Sequence, residues 1–429
     1  MFFGGILSNF KRLKNDVYPG RDSLLLHRFQ SPTIQQSRVQ QSRSPMSNQD
    51  LFQEFPSISK SDWLRQIAKD LKDKPLEDLN WQMPNGLVVS PFVHADDFET
   101  PPAPLSDQPN QWEICEDVQV NDPATANHQA LNALEGGAEG LCFWLDKPLE
   151  AEDFGQLLRE VHLDFIGLHF AGAAIAENPG MVLGNLEKLA QQRGIPTTQL
   201  RGSLAYDPVP VSKIVDWRYL ADLLEYAREK FPQFKIIQVS DPERRSGEDF
   251  VQDSPEQRSG IQLRNANIYL QKLSERGISV NEVAAVMQFS VSLGKSYFVE
   301  IARLRALNIL WFNILKAWNA DLKSPSIVAH FQPEAYSDDL YTNMIRATTM
   351  AMAAVQGGAA RVTVLPYDTG REGQATYPQA FSRRIARNVQ HLLKMESALD
   401  EVVDPAAGSY YIETLTRQLA EKLWTSLEG

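Results

Sequence analysis

From residue 112 onward, short β-rich apolar runs alternate with amphipathic stretches, and nothing else in the chain restricts the fold so strongly. Strand-like runs fall at 140–145, 164–170, 200–206, 235–239, 286–293, 326–331 and 361–365, with a weak eighth at 401–404. Helix-like segments lie between or after them, at 217–231, 296–317, 338–356 and 378–395. Eight strand candidates alternating with helices predict an α/β chain whose parallel sheet closes into a (β/α)8 TIM barrel. An open, doubly wound sheet shows the same alternation, and periodicity alone does not reveal closure. No glycine-rich fingerprint follows any strand, which weighs against a nucleotide-binding open sheet. A barrel takes about 250–300 residues, so a chain of 429 has room upstream.

Three regions are expected: 1–46, a disordered or non-native extension; 47–111, an N-terminal helix and Pro-rich arm; and 112–429, the barrel. Residues 1–45 carry seven Lys or Arg against two Asp and no Glu. That composition suits a mitochondrial transit peptide; it equally suits an upstream segment misassigned ahead of a true start at Met46. The expected location is the cytoplasm, or the mitochondrial matrix if 1–45 is a transit peptide. The whole chain has net charge −12, so the acidic body argues against nucleic-acid or anionic-membrane binding. Mean hydropathy is −0.32 and no run of 18 apolar residues occurs, so no transmembrane helix is expected. Cys115 and Cys142 lack metal-ligand spacing and read as free thiols in a reducing compartment. Ser59 is placed to cap a helix with an apolar stripe of Trp63, Leu64, Ile67, Ala68 and Leu71. The stretch TPPAPLSDQP, 100–109, reads as an extended strap or plain linker.

In a parallel barrel the C-terminal strand ends share one mouth. Those ends carry His169, Tyr206, Asp207, Ser240, Asp241, His330, Gln332, Tyr367, Asp368 and Asp404. His330 can donate to a carbonyl or act as an acid, although a structural hydrogen-bonding role is commoner for such a residue. Asp207 and Asp404 each precede Pro, a turn and cap signature. Arg383, Arg384 and Arg387 open the last long helix and can hold phosphates or pair with the acidic body. No nucleophile elbow, metal-binding His pair or phosphate loop is present. Residue chemistry alone gives a barrel with a polar mouth and no assembled catalytic machine.

Several ordered segments resemble the methylmalonyl-CoA mutase family of adenosylcobalamin-dependent isomerases. They are DPATANHQALNALEGGA (122–138), EIARLRALNILW (300–311), NMIRATTMAMAAVQGG (343–358), RIARN (384–388) and DPAAGSYYIE (404–413). The resemblance spans roughly residues 50–429. It implies a substrate barrel which, in the family, precedes a flavodoxin-like domain whose Asp-x-His-x-x-Gly motif supplies the lower cobalt ligand. None of the seven histidines here has Asp two positions before it. The family's Arg-Gln-Tyr-Ala-Gly motif is replaced within FVHADDFETPPAPLSDQPNQ (92–111), and no His lies between His169 and His330. The loop His-Cys-Gln-Thr-Ser-Gly becomes HFQPEA, keeping His330 and Gln332.

These departures match the small, beta subunit of the heterodimeric enzyme, lacking the cobalamin-binding domain. The resemblance then implies no catalytic, cofactor-binding or metal-binding residue on this chain, with His330 and Gln332 as remnants of substrate binding. Adenosylcobalamin and acyl-CoA would sit on the partner, the large (alpha) subunit, which interconverts (R)-methylmalonyl-CoA and succinyl-CoA. The alternative is a substrate-domain subunit of a split acyl-CoA mutase, active with a separate cobalamin-binding protein. That alternative needs the Tyr and His motifs this chain has lost.

Overall fold

A computed structural model describes residues 57–72, 74–83, 86–212, 214–242, 255–371, 373 and 376–428. The extension expected at 1–46 lies outside the described residues. Those that are described fall into two compact units, 57–101 and 102–428.

In the first unit, Ser59 caps the helix Lys60–Leu71, its hydroxyl oxygen accepting from the Asp62 N–H at 3.2 Å. Lys72, at φ 50°, ends the helix in the left-handed conformation, the usual chain reversal at a helix C-terminus. A short antiparallel ladder joins Trp81–Gln82 to Val88–Val89.

The second unit is a closed, all-parallel barrel of eight strands. They are β1 (Glu113–Gln119), β2 (Gly140–Trp144), β3 (Gly167–Ala171), β4 (Arg201–Tyr206), β5 (Gln233–Ser240), β6 (Met287–Leu293), β7 (Ile327–Phe331) and β8 (Arg361–Thr363). Outside them run α1 (Pro123–Glu135), α2 (Ala151–Leu157), α3 (Pro179–Gln192), α4 (Trp217–Lys230), α5 (Pro255–Ser274), α6 (Tyr297–Ala317), α7 (Leu340–Gln356), α8 (Gln379–Met395) and α9 (Tyr410–Glu428). The expected helices agree within two residues at each end.

Strand membership differs at one place. Closure is made by β8 pairing with β1, Arg361 opposite Glu113, and residues 401–404 form no barrel strand. Val403 instead makes a single antiparallel bridge to Pro109. Sequence reading passes over β1 because EICEDVQ carries three acids and shows no apolar run.

Register explains why a strand can be so polar. Cys115, Gly140, Gly167 and Arg201 form one row around the barrel, and Asp117, Cys142, His169 and Ser203 the next. Cys115, Cys142 and Ala171 pack together with Trp144 and Ala205 against them, so these rows face inward. Their neighbours Ile114, Leu141 and Leu168, each at most 1% exposed, face the helical shell and supply the hydrophobic seal. Both cysteines are buried free thiols. Among the described residues no helix is long and apolar enough to cross a membrane.

Candidate functional site

The segments singled out in the sequence meet one another in space. Arg305 of α6 bonds the carboxylates of Asp404 and, at 2.7 Å, Glu413, joining EIARLRALNILW to DPAAGSYYIE. Asp404 also accepts the Leu105 N–H at 2.8 Å, and Glu413 that of Gly408 at 3.1 Å. Arg387 of α8 bonds Glu116 of β1 and lies against the turn after α1. A Cβ at Gly136 would stand 2.5 Å from the Arg387 guanidinium, and one at Gly137 (φ +85°) 2.7 Å from the His391 ring. The glycine pair near the end of DPATANHQALNALEGGA therefore leaves the space that Arg387 of RIARN and His391, one turn further along α8, occupy. Asn343, opening NMIRATTMAMAAVQGG, donates to the carbonyls of Ser337 (2.9 Å) and Tyr367 (3.0 Å).

A further charge cluster lies at the C-terminal ends of β5 and β6. Asp241, fully buried, accepts from Arg258 at 3.2 Å, from Arg303 at 3.5 Å and from the Ser292 N–H at 3.1 Å. Glu300 bonds Arg303 at 2.7 Å and receives the Gly294 N–H at 2.8 Å. Burial disfavours the Arg303 charge, yet Glu300 and Asp241 hold its pKa above the ordinary arginine value. Removing one member of a buried, hydrogen-bonded ion set leaves an uncompensated charge costing about 3–5 kcal/mol. These residues are locks.

Inside the barrel a second polar group spans β1, β3, β4 and β8. His169 lies 2.6 Å from Glu113 through Nε2 and 2.8 Å from Ser203 through Nδ1. Arg361 bonds Nδ1 as well and reaches Ser203 at 3.0 Å. A guanidinium has donors only, so Nδ1 accepts and the imidazole proton sits on Nε2, donated to Glu113. Burial, then the Arg361 charge, lower the His169 pKa from 6.5 to about 4. Burial opposes ionisation of Glu113, but His169, Arg361 and Arg201 together keep its carboxyl below the ordinary carboxylate value.

Ser203, His169 and Glu113 have the spacing of a nucleophilic relay. Two facts argue against that use: Ser203 is 1% exposed, and Arg361 occupies the nitrogen that a general base needs. Cys115 joins Glu113 and His169 in a set whose donor atoms lie within 4.8 Å of one another. Arg361 already brings that set the positive charge a metal would supply. Burial also raises the Cys115 thiol well above its ordinary value, which disfavours the thiolate a metal requires.

The expected mouth residues are mostly engaged elsewhere. His169 belongs to the interior group. Asp207 gives no side-chain cap to the turn it precedes; it accepts from the Ser240 N–H (2.8 Å) and the Tyr269 hydroxyl (2.7 Å). Asp241 and Asp404 belong to the locks. Tyr206 is 9% exposed, and burial raises its phenol. Tyr367 and Asp368 are 5% and 1% exposed; burial and the neighbouring Asp368 push the Tyr336 phenol well above its ordinary value. His330, opposite Ser292 in the ladder, is 4% exposed, and Gln332 donates to the Ser292 carbonyl at 3.3 Å.

Glu300, Arg303, Arg305 and Arg361 escaped the sequence reading. A usable signal existed for the first three. Charges set inside a long helix that shows no polar face can only be buried and paired.

The family model described as methylmalonyl-CoA mutase matches residues 149–429. The chain belongs to the methylmalonyl-CoA mutase family. The methylmalonyl-CoA mutase small subunit of Porphyromonas gingivalis is 31% identical over 401 residues, covering 87% of this chain and 63% of that protein. The small subunit of Streptomyces virginiae is 28% identical, covering 89% and 64%; the large subunit of that organism is 27% identical, covering 87% and 56%. The chain thus spans less than two thirds of the length of these methylmalonyl-CoA mutase relatives.

Proposed function

We propose that this chain is the small, non-catalytic subunit of an adenosylcobalamin-dependent methylmalonyl-CoA mutase, stabilising a large subunit that interconverts (R)-methylmalonyl-CoA and succinyl-CoA. One observation carries the reading: Arg305 and Arg387 of the signature segments are engaged in intramolecular ion pairs, and Glu113, His169, Ser203 and Arg361 in the barrel interior bond one another. His330 and Gln332 are then relics of substrate binding, drawn into the β6–β7 wall. The described histidines do not suit a lower cobalt ligand. His169 and His330 are buried, His94 accepts from a backbone N–H, His391 bonds the Gly136 carbonyl, His128 lies within α1, and His162 lies in the connection from α2 to β3. Cobalamin chemistry is therefore assigned to the partner, and no step is derived on this chain.

Co-purification with a large mutase subunit tests the proposal. A tight one-to-one complex, with acyl-CoA and adenosylcobalamin bound only by the partner, is expected. Micromolar acyl-CoA binding by the isolated chain would overturn it in favour of the split-mutase alternative.

A further inference from the structure

We propose that the groove between α1 and α8 is an anion site that takes the phosphate of a small phosphomonoester. The groove holds about 620 Å³, and its polar wall includes His128, Gln129 and Asn132 of α1 with Arg383, Arg384 and Arg387 of α8. Among the described lining residues Glu116 is the one carboxylate. Three guanidiniums against one carboxylate leave two positive charges in excess.

Glu116 engages Arg383 at 3.3 Å as well as Arg387. Arg384 is exposed and has no ion pair among the described residues. Its guanidinium lies 5.1 Å from the centre of the Phe381 ring. That cation–π contact steadies Arg384 while leaving N–H donors for a ligand. Pro378 begins α8 without a side-chain cap, and the first turn has no acidic residue. The unpaired N–H groups and dipole of that end add to the same positive field.

Arg387 is 8% exposed and bonds Glu116, so it fixes the wall of the groove while Arg384 stays open to it. The sequence of α8 points the same way: four Arg or Lys and no acid, in a chain of net charge −12. An ordinary solvated face would mix the signs. The groove exceeds what a bare phosphate fills, and Phe381, Pro378 and Ala133 give it an apolar side for the organic part of an ester. Nothing here depends on the mutase reading, because the groove shares no residue with the barrel mouth.

The test is calorimetric titration of the full chain, at low ionic strength, with phenyl phosphate and separately with inorganic phosphate. Expected are one saturable site, tighter binding of the ester, roughly tenfold weakening in Arg384→Gln, and loss of affinity as salt rises. The variant's thermal unfolding should match the parent's, since Arg384 is exposed and unpaired. No saturable heat with either anion, or binding indifferent to Arg384→Gln, would overturn the site. Equal affinity for the two anions would overturn the ester assignment.

Discussion

The unit at 57–101 and the barrel treat charge in opposite ways. In the first, Met83 and Val89 are the buried hydrophobics among the described residues, the helix Lys60–Leu71 buries no residue, and Ile58 and Trp81 are 62% and 43% exposed. Its Lys60–Asp97 ion pair sits at 28% side-chain exposure on each partner. In the barrel, Arg258, Arg303 and Arg305 are among the largest fully buried side chains. A closed sheet wrapped by helices excludes water on every side, so a charge inside must meet a counter-charge or carbonyl. A small unit has too little volume to impose that demand. The lesson is that an ion pair's importance follows from the enclosure around it.

Three experiments can break or sharpen this contrast. Arg305→Met should lower unfolding free energy by about 3–5 kcal/mol at pH 7, because Asp404 and Glu413 lose their cation; denaturant midpoints measure it. Adding Asp404→Asn and Glu413→Gln should recover more than half of the loss. Failure to recover would mean that packing, rather than charge, was removed.

The next effect is a pH response. The His169 pKa falls from 6.5 to about 4 on folding, so between those values the unfolded chain binds a proton that the folded chain refuses. Stability from this group is full above about pH 6.5 and is lost as pH falls toward 4. From pH 7 to pH 5 the loss is about 2 kcal/mol. His169→Gln should show a correspondingly smaller acid-induced loss across that interval. An identical loss in parent and variant would remove His169 from the account.

The smallest effect belongs to the N-terminal unit. Asp97→Asn should change stability by less than about 1 kcal/mol, and less still in high salt. A loss comparable to that of Arg305→Met would erase the distinction drawn here.

Much of the architecture was legible in the sequence, for physical reasons that also mark its limits. The long helices α6 and α7 announce themselves through length and continuous apolar content, and the apolar runs around β6 and β7 stand out. β1 does not, because Glu113 and Asp117 belong to inward-facing rows and Glu116 pairs with arginines from α8; a polar interior removes the alternation that identifies a strand. The run at 401–404 misled because two valines beside acids resemble a short strand, while Asp404 in fact sits at φ 39° and holds Arg305. Site reading was harder. Residues at strand ends are known from register alone, but whether Asp241 or Asp207 faces a cavity or a buried arginine depends on helices far along the chain.

The closing seam has a consequence for synthesis. Arg361–Thr363 pairs with Glu113–Cys115 across about 250 residues of chain. At roughly 5–20 residues per second, β1 leaves the ribosome about 12–50 s before β8. Throughout that wait one edge of β1 has no partner, an invitation to pair with neighbouring nascent chains. The three acids on this strand repel such company until Arg361 arrives, so the carboxylates that obscure β1 in the sequence also act as its chaperone.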